Sequence, residues 1–144
     1  MKTLTWADFA KHKPCYNPSY MYGEWEGTIL DLMQRPDIPA NDKLWAFTRE
    51  GITDDKTLRL FAVACAKRVQ HLLKDQQSIN AIDVERYANG NATENMSAVA
   101  RYAVGYAARA AAGASAGASA GGAAWGVEKQ AQVEIAIELL TKLK

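Results

Sequence analysis

Apolar positions near the middle of the chain recur with a helical period: Leu58, Phe61, Ala62, Cys65, Val69 and Leu72 fall at i, i+3, i+4, i+7, i+11 and i+14. Thr53-Asp54-Asp55 supplies the start signal, an acceptor side chain followed by acids at the positive end of the helix dipole. The spacing predicts a central helix running to about Lys74. Leu60, Val63, Ala64 and Ala66 widen its apolar arc until Lys56, Arg59, Lys67 and Gln70 provide the wet side, so the element is expected to be surrounded by others.

Shorter segments precede it. A helical turn is expected from Thr5, with Asp8 in its first turn, ending before Pro14. The crowded stretch of Pro14, Cys15, Tyr16, Asn17 and Pro18 reads as irregular loop. Glu24 to Gln34 reads as a helix with Trp25, Ile29, Leu32 and Met33 on one side, closed by Arg35-Pro36. A further short helix carries Leu44, Trp45 and Phe47, capped by Asn41 or Asp42 and stopped by Gly51. Beyond the central helix, Ser78 to Asn89 carries Ile79, Ile82, Val84 and Tyr87 and stops at Asn89-Gly90, and Thr93 with Glu94 opens another helix.

From Met96 onward Ala, Gly and Ser dominate, and Gly113-Ala114-Ser115-Ala116 repeats as Gly117-Ala118-Ser119-Ala120. Three readings compete for residues 113–122. Gly113, Gly117 and Gly121 at i, i+4 and i+8 make a smooth helical stripe that admits close helix packing. The period-two alternation also suits stacked strands, and the composition suits a flexible linker. Ala-rich flanks favour helix, with a break near Gly121-Gly122. Ala123 to Lys144 is amphipathic again, with Val133, Ala136, Ile137, Leu140 and Leu143 on one stripe and Glu138 to Lys142 as a favourable i, i+4 pair.

No convincing strand pattern occurs, so the expected fold is all-α: one domain over 1–144, with an aromatic-rich helical cap (1–50) on a helical bundle (53–144) that includes two close-packed Ala/Gly-rich C-terminal helices. The chain has 144 residues, of which 49% are hydrophobic, which suits one domain rather than two. Its formal charge of +1 lacks the basic excess of a general nucleic-acid binder and the acidic excess of a DNA mimic, so direct nucleic-acid binding is not expected. No signal-like apolar core opens the chain, and the uncharged run 110–127 is mostly Ala and Gly, too weakly apolar for a bilayer span. Two cysteines without a CxxC pair fit a reducing compartment, and a cytoplasmic location is expected.

Candidate chemistry is sparse. His12 and Cys15 form H-x-x-C, but the remaining Cys and His, Cys65 and His71, are six positions apart on one helix, about 240° around its axis, so no metal site is expected. A Cys15/His71 hydrolase is the weakest reading, because no Gly-rich elbow or oxyanion loop accompanies either residue. Asp54 with Asp55, and Asp83 with Glu85, read as caps and solvated faces. No phosphate-binding motif follows the glycines, and no cofactor is implied.

Surface recognition is better supported. Tyr16, Tyr20, Tyr22 and Trp25, with Trp6 and Trp45, concentrate among the loops of the first fifty residues, where such rings either anchor a partner or seal small helices onto the core. Arg101, Tyr102, Tyr106 and Arg109 stand at helical intervals in an Ala-rich segment, as knobs into a partner or as the fold's own anchors.

The run Leu58-Arg59-Leu60-Phe61-Ala62-Val63-Ala64-Cys65-Ala66-Lys67-Arg68-Val69, then Ala81-Ile82-Asp83-Val84-Glu85-Arg86-Tyr87-Ala88-Asn89-Gly90-Asn91-Ala92-Thr93, then an Ala-rich tail, resembles the all-helical immunity-protein-like family found near bacterial toxin loci and similar phage and prophage proteins. The likeness spans residues 44–125, and Trp6 to Thr28 looks closer to the phage-type members. The resemblance implies no catalytic residues. It implies a non-catalytic inhibitor of a bacterial protein: a toxin-neutralising immunity protein, or a phage counter-defence protein of the anti-CRISPR kind that blocks an immune effector. A self-associating structural or virion-associated phage protein, a homo-oligomer joined through the glycine stripe, is the alternative.

Overall fold

The computed structural model describes residues 1–69, 95–113 and 118–143. They are mostly helical, as expected. Seven helices are present among them, α1 (Ala7–Ala10), α2 (Pro18–Tyr22), α3 (Ile29–Met33), α4 (Ala40–Phe47), α5 (Asp55–Val69), α6 (Met96–Gly113) and α7 (Ala118–Thr141). A two-stranded antiparallel sheet, β1 (Leu4–Thr5) with β2 (Glu26–Gly27), qualifies the all-α expectation; Leu4 faces Gly27 and Thr5 faces Glu26. α6 packs most extensively on α5 and α7, while α3 and α4 lie against α7.

The N-terminal fifty residues differ most from expectation. Asn17 caps α2 by accepting the Ser19 N–H at 3.0 Å, Pro18 occupies its first turn, and Gly23 ends it with φ +73°. The expected helix over Glu24–Gln34 therefore begins only at Ile29. Thr28 is its cap: its hydroxyl accepts the Asp31 N–H at 3.2 Å, and the Asp31 carboxylate accepts the Thr28 N–H at 2.7 Å. Outside that helix, Trp25 packs against Trp6 with centroids 4.8 Å apart and the rings tilted by 35°.

Helix α4 also starts differently. Pro39 precedes it, and Asn41 and Asp42 lie inside its first turn rather than capping it. Gly51, at φ +82°, is in the turn that follows, as expected.

At the start of α5 the sequence signal holds. Asp54 accepts the Thr57 N–H at 2.9 Å and its hydroxyl at 2.7 Å, and Thr53 donates to the Phe47 carbonyl at 2.8 Å. Leu58, Phe61, Ala62 and Cys65 are fully buried, and Phe61 meets Phe47 edge-on at 4.8 Å. Burial of each large side chain is worth roughly 1.5–3 kcal/mol. Leu60 departs from the surrounded arc: it is 49% exposed. The expected continuation to Lys74, the helix over Ser78–Asn89 and the start at Thr93-Glu94 lie outside the described residues. Asn95 is the cap seen on α6, accepting the Ala98 N–H at 3.1 Å.

Close packing of the long helices uses alanine. Ala100, Ala103 and Ala107 of α6 and Ala62 and Ala66 of α5 are all fully buried in the contact-rich α5–α6 layer. Without larger side chains the two backbones can approach closely. Residues 118–122 are helical, which settles that part of the Gly/Ser run. Gly117 lies outside the described residues, and the surroundings of Gly113 and Gly121 do too. On α7, Val133, Ala136 and Leu140 are buried and Ile137 is half-buried, but Leu143 falls beyond the helix end and is exposed. The Glu138–Lys142 pair forms at 3.0 Å on the open face.

Polar side chains also enter this interior. Glu128 is buried and receives the Arg68 Nε at 3.0 Å, tying the end of α5 to α7. Gln132, fully buried, donates to the Val104 carbonyl of α6 at 3.2 Å. Among the described residues no helix is long and apolar enough to cross a membrane.

Candidate functional site

Between the N-terminal segment and α4 lies a groove of about 330 Å³, within the size range of small-molecule sites. Its lining includes Trp6, Phe9, Tyr16 and Tyr22 of the N-terminal segment, Leu32, Leu44, Trp45 and Arg49 from α3, α4 and the turn after it, and Arg101, Gly105 and Lys129 of α6 and α7. It thus joins three parts of the chain separated by long stretches of sequence.

The aromatic wall is held by its own bonds. Trp6 donates its indole N–H to the Gly23 carbonyl at 2.7 Å and packs on Phe9, Tyr22 and Trp25. Tyr16 donates to the Asp42 carboxylate at 2.6 Å, and Tyr22 reaches the same oxygen at 3.4 Å. Burial, with the Asp42 hydrogen bond second, pushes the Tyr16 phenol well above the ordinary tyrosine value. The hydroxyl therefore stays a donor across physiological pH.

Three cations also belong to the lining, Arg49, Arg101 and Lys129. Arg49 lies over the Trp45 ring at 4.7 Å and donates Nε to the Trp45 carbonyl at 2.8 Å. Arg101 donates to the Thr48 carbonyl at 3.1 Å. Both satisfy carbonyls left open where α4 ends. Burial, and then the nearby Arg101 charge, lowers Arg49 to about 10. Lys129 is only 8% exposed and lies over the Trp125 ring at 5.3 Å. Burial is the main cause that lowers its ammonium below the ordinary lysine value. Among the described residues none of these three cations forms an ion pair.

The eight residues expected to contact a partner divide. Tyr16, Tyr22 and Arg101 line the groove, and Trp25 is sealed against Trp6. Tyr20 points outward from α2 and is 90% exposed, beside Met21 at 57%. Tyr102, half exposed, stacks on Tyr106 with rings 18° apart. Tyr106 itself is buried at 6% exposure, so it anchors the fold, one of the two roles its spacing allowed, and is not an open contact. Arg109 is exposed and folds over Gly105, where an added Cβ would lie 3.0 Å from its Nη1.

Arg49 and Lys129 were not singled out in the sequence, and Asp42 was read only as a helix cap. A signal existed: Trp45-x-x-x-Arg49 and Trp125-x-x-x-Lys129 repeat one i, i+4 spacing that sets a cation over a ring. Cys15 is exposed on the groove rim, while Cys65 is buried and its thiol is pushed up by desolvation. His71 lies outside the described residues. The described residues hold no group of three His, Cys, Asp or Glu placed to bind a metal. Comparison with known proteins found no matching family model, no curated relative and no similar solved structure.

Proposed function

We propose that this protein is a non-catalytic inhibitor that binds a bacterial effector, a toxin or an immune effector, by stoichiometric contact through the outer face of its N-terminal segment. The observation that carries this reading is Tyr20, 90% exposed on a helix whose inner residue, Tyr22, is fixed to Asp42 and Trp6. A large ring on a rigid base loses little conformational entropy on docking, which is why tyrosines serve as interface anchors. Met21 beside it adds an adaptable apolar contact. The effector class rests on the sequence resemblance over residues 44–125, and the near-neutral charge favours a shaped contact over mimicry of nucleic acid.

The test is capture from bacterial lysate with tagged wild-type protein and with Tyr20→Ala, read by mass spectrometry. A toxin or immune-effector subunit recovered in stoichiometric amount by the wild type and lost with Tyr20→Ala is the expected result. Equal retention by the variant, or recovery of the tagged chain alone, overturns the reading and moves the weight to self-association.

A further inference from the structure

We propose that the groove beside α4 binds a small organic cation, an alkylated ammonium head set between the Asp42 carboxylate and the rings of Tyr16, Tyr22 and Trp6. This goes beyond effector binding and does not depend on it, since neither Tyr20 nor Met21 lines the groove.

The aromatic side chains of the lining form one continuous series. Tyr16 meets Tyr22 edge-on with centroids 6.0 Å apart, Tyr22 meets Trp6 at 6.1 Å, Trp6 meets Phe9 at 6.3 Å and Phe9 meets Trp45 at 6.3 Å, and all five line the groove. The Tyr16 and Tyr22 hydroxyls converge on Asp42 Oδ2, at 2.6 and 3.4 Å, which fixes the carboxylate beside the first rings of the series. Rings grouped around a carboxylate suit an alkylated ammonium: the ring quadrupoles attract its charge, and its methyl groups leave no N–H donor unbonded among them. The groove volume of about 330 Å³ accommodates a molecule of choline's size rather than a polymer.

Charge decides in the same direction at this end of the groove. Asp42 is the one carboxylate among the described residues of the lining, and it enters no ion pair with any of them. Both phenols bond its Oδ2, and no described residue donates to its Oδ1. The cations of the lining are engaged elsewhere. Arg49 follows Asp42 by seven residues, about 10 Å along the axis of α4, and with Arg101 it bonds carbonyls at the far end of that helix. The charge that Arg49 feels is that of Arg101, whereas the groups acting on the Tyr16 phenol are Asp42 and Tyr22, with no cation among them. Lys129 lies over Trp125 on α7. Arg35 stands over the Tyr22 ring at 5.7 Å, but it is paired with Asp37 and is not part of the lining.

Isothermal titration of the full chain at constant ionic strength tests this, with choline and with its neutral isostere 3,3-dimethylbutan-1-ol, using wild type, Asp42→Asn and Tyr16→Phe. Choline is expected to bind in the millimolar range and the alcohol about tenfold more weakly. Asp42→Asn keeps an acceptor for the Tyr16 hydroxyl and removes the charge, so it should weaken choline about tenfold and leave the alcohol unchanged. Tyr16→Phe keeps the ring and frees the carboxylate, so choline affinity should hold or rise although the fold is less stable; a loss there overturns the site even if Asp42→Asn fails to fold. The site is also overturned if choline does not bind at about 50 mM, if choline and the alcohol bind alike, or if folded Asp42→Asn binds choline as the wild type does. A peptide carrying trimethyllysine that binds more tightly than choline would overturn the small-ligand class.

Discussion

The Tyr16 hydroxyl donates to the Asp42 carboxylate at 2.6 Å across 26 residues of chain, and this bond fastens the loop after α1 to the first turn of α4. Tyr22 converges on the same oxygen and on Tyr16 itself at 3.2 Å, so one acid organises two rings of the groove wall. Asp42 sits at the positive end of α4, where its negative charge is also favoured. Tyr16→Phe keeps the ring and removes the donor. It should cost about 1.5 kcal/mol in urea unfolding, a typical value for a hydrogen bond to a charged group. Asp42→Asn, combined with it, should cost less than the sum of the two single changes.

The Arg68–Glu128 pair joins elements that are 60 residues apart, with the carboxylate buried and the guanidinium partly in solvent. Removing the arginine leaves a buried carboxylate without its cation, whereas Glu128→Gln removes the charge itself. Arg68→Ala should therefore destabilise by about 2 kcal/mol, discounted for the exposed partner, and Glu128→Gln by less. Denaturant midpoints of the two variants check the order.

What was legible in the sequence is what is local. Asp54 before α5, the buried positions Leu58, Phe61 and Cys65, and the Glu138–Lys142 pair follow from contacts three to seven residues apart, and all appear in the structure. The β1–β2 pairing was not legible, because it joins Leu4 to Gly27 through strands of two residues, too short to show alternation. The Glu24–Gln34 helix was overextended because Trp25 fits the helical period by chance, while Thr28 with Asp31 carries the true start signal. The groove has the same origin as the sheet. Arg49, Arg101 and Lys129 join one lining only once α4, α6 and α7 pack, so Tyr16, Tyr22 and Arg101 were recognised as candidates and Arg49 and Lys129 were not.

His12 gives a pH dependence. Its Nε2 is enclosed without a hydrogen-bond partner, its ring stands nearly perpendicular to that of Trp45, and burial lowers its pKa, with the Lys11 and Arg49 charges adding to the effect. A lowered folded pKa means the unfolded chain takes up the proton first. Stability from this group is thus complete above the ordinary imidazole value of about 6.5 and is lost as pH falls through the folded value. Unfolding midpoints measured from pH 7.5 down to pH 5 should fall, and His12→Gln should flatten that decline. An unchanged slope in the variant would assign the decline to other groups.

Gln132 offers the opposite sign of effect. Its amide Nε2 bonds the Val104 carbonyl, but its Oε1 is buried with no partner. Val104 lies within α6, where its carbonyl already belongs to the helical ladder, so the amide adds a second and weaker bond. Methionine has a similar length and no stranded oxygen. Gln132→Met gives up one modest hydrogen bond, worth about 1 kcal/mol, and removes a buried unsatisfied acceptor that costs about 1–3 kcal/mol. The net expectation is a gain of about 1 kcal/mol, read as a higher urea midpoint at unchanged slope. A loss of stability would mean that the Gln132 bond to Val104 sets the α6–α7 register more strongly than its geometry suggests.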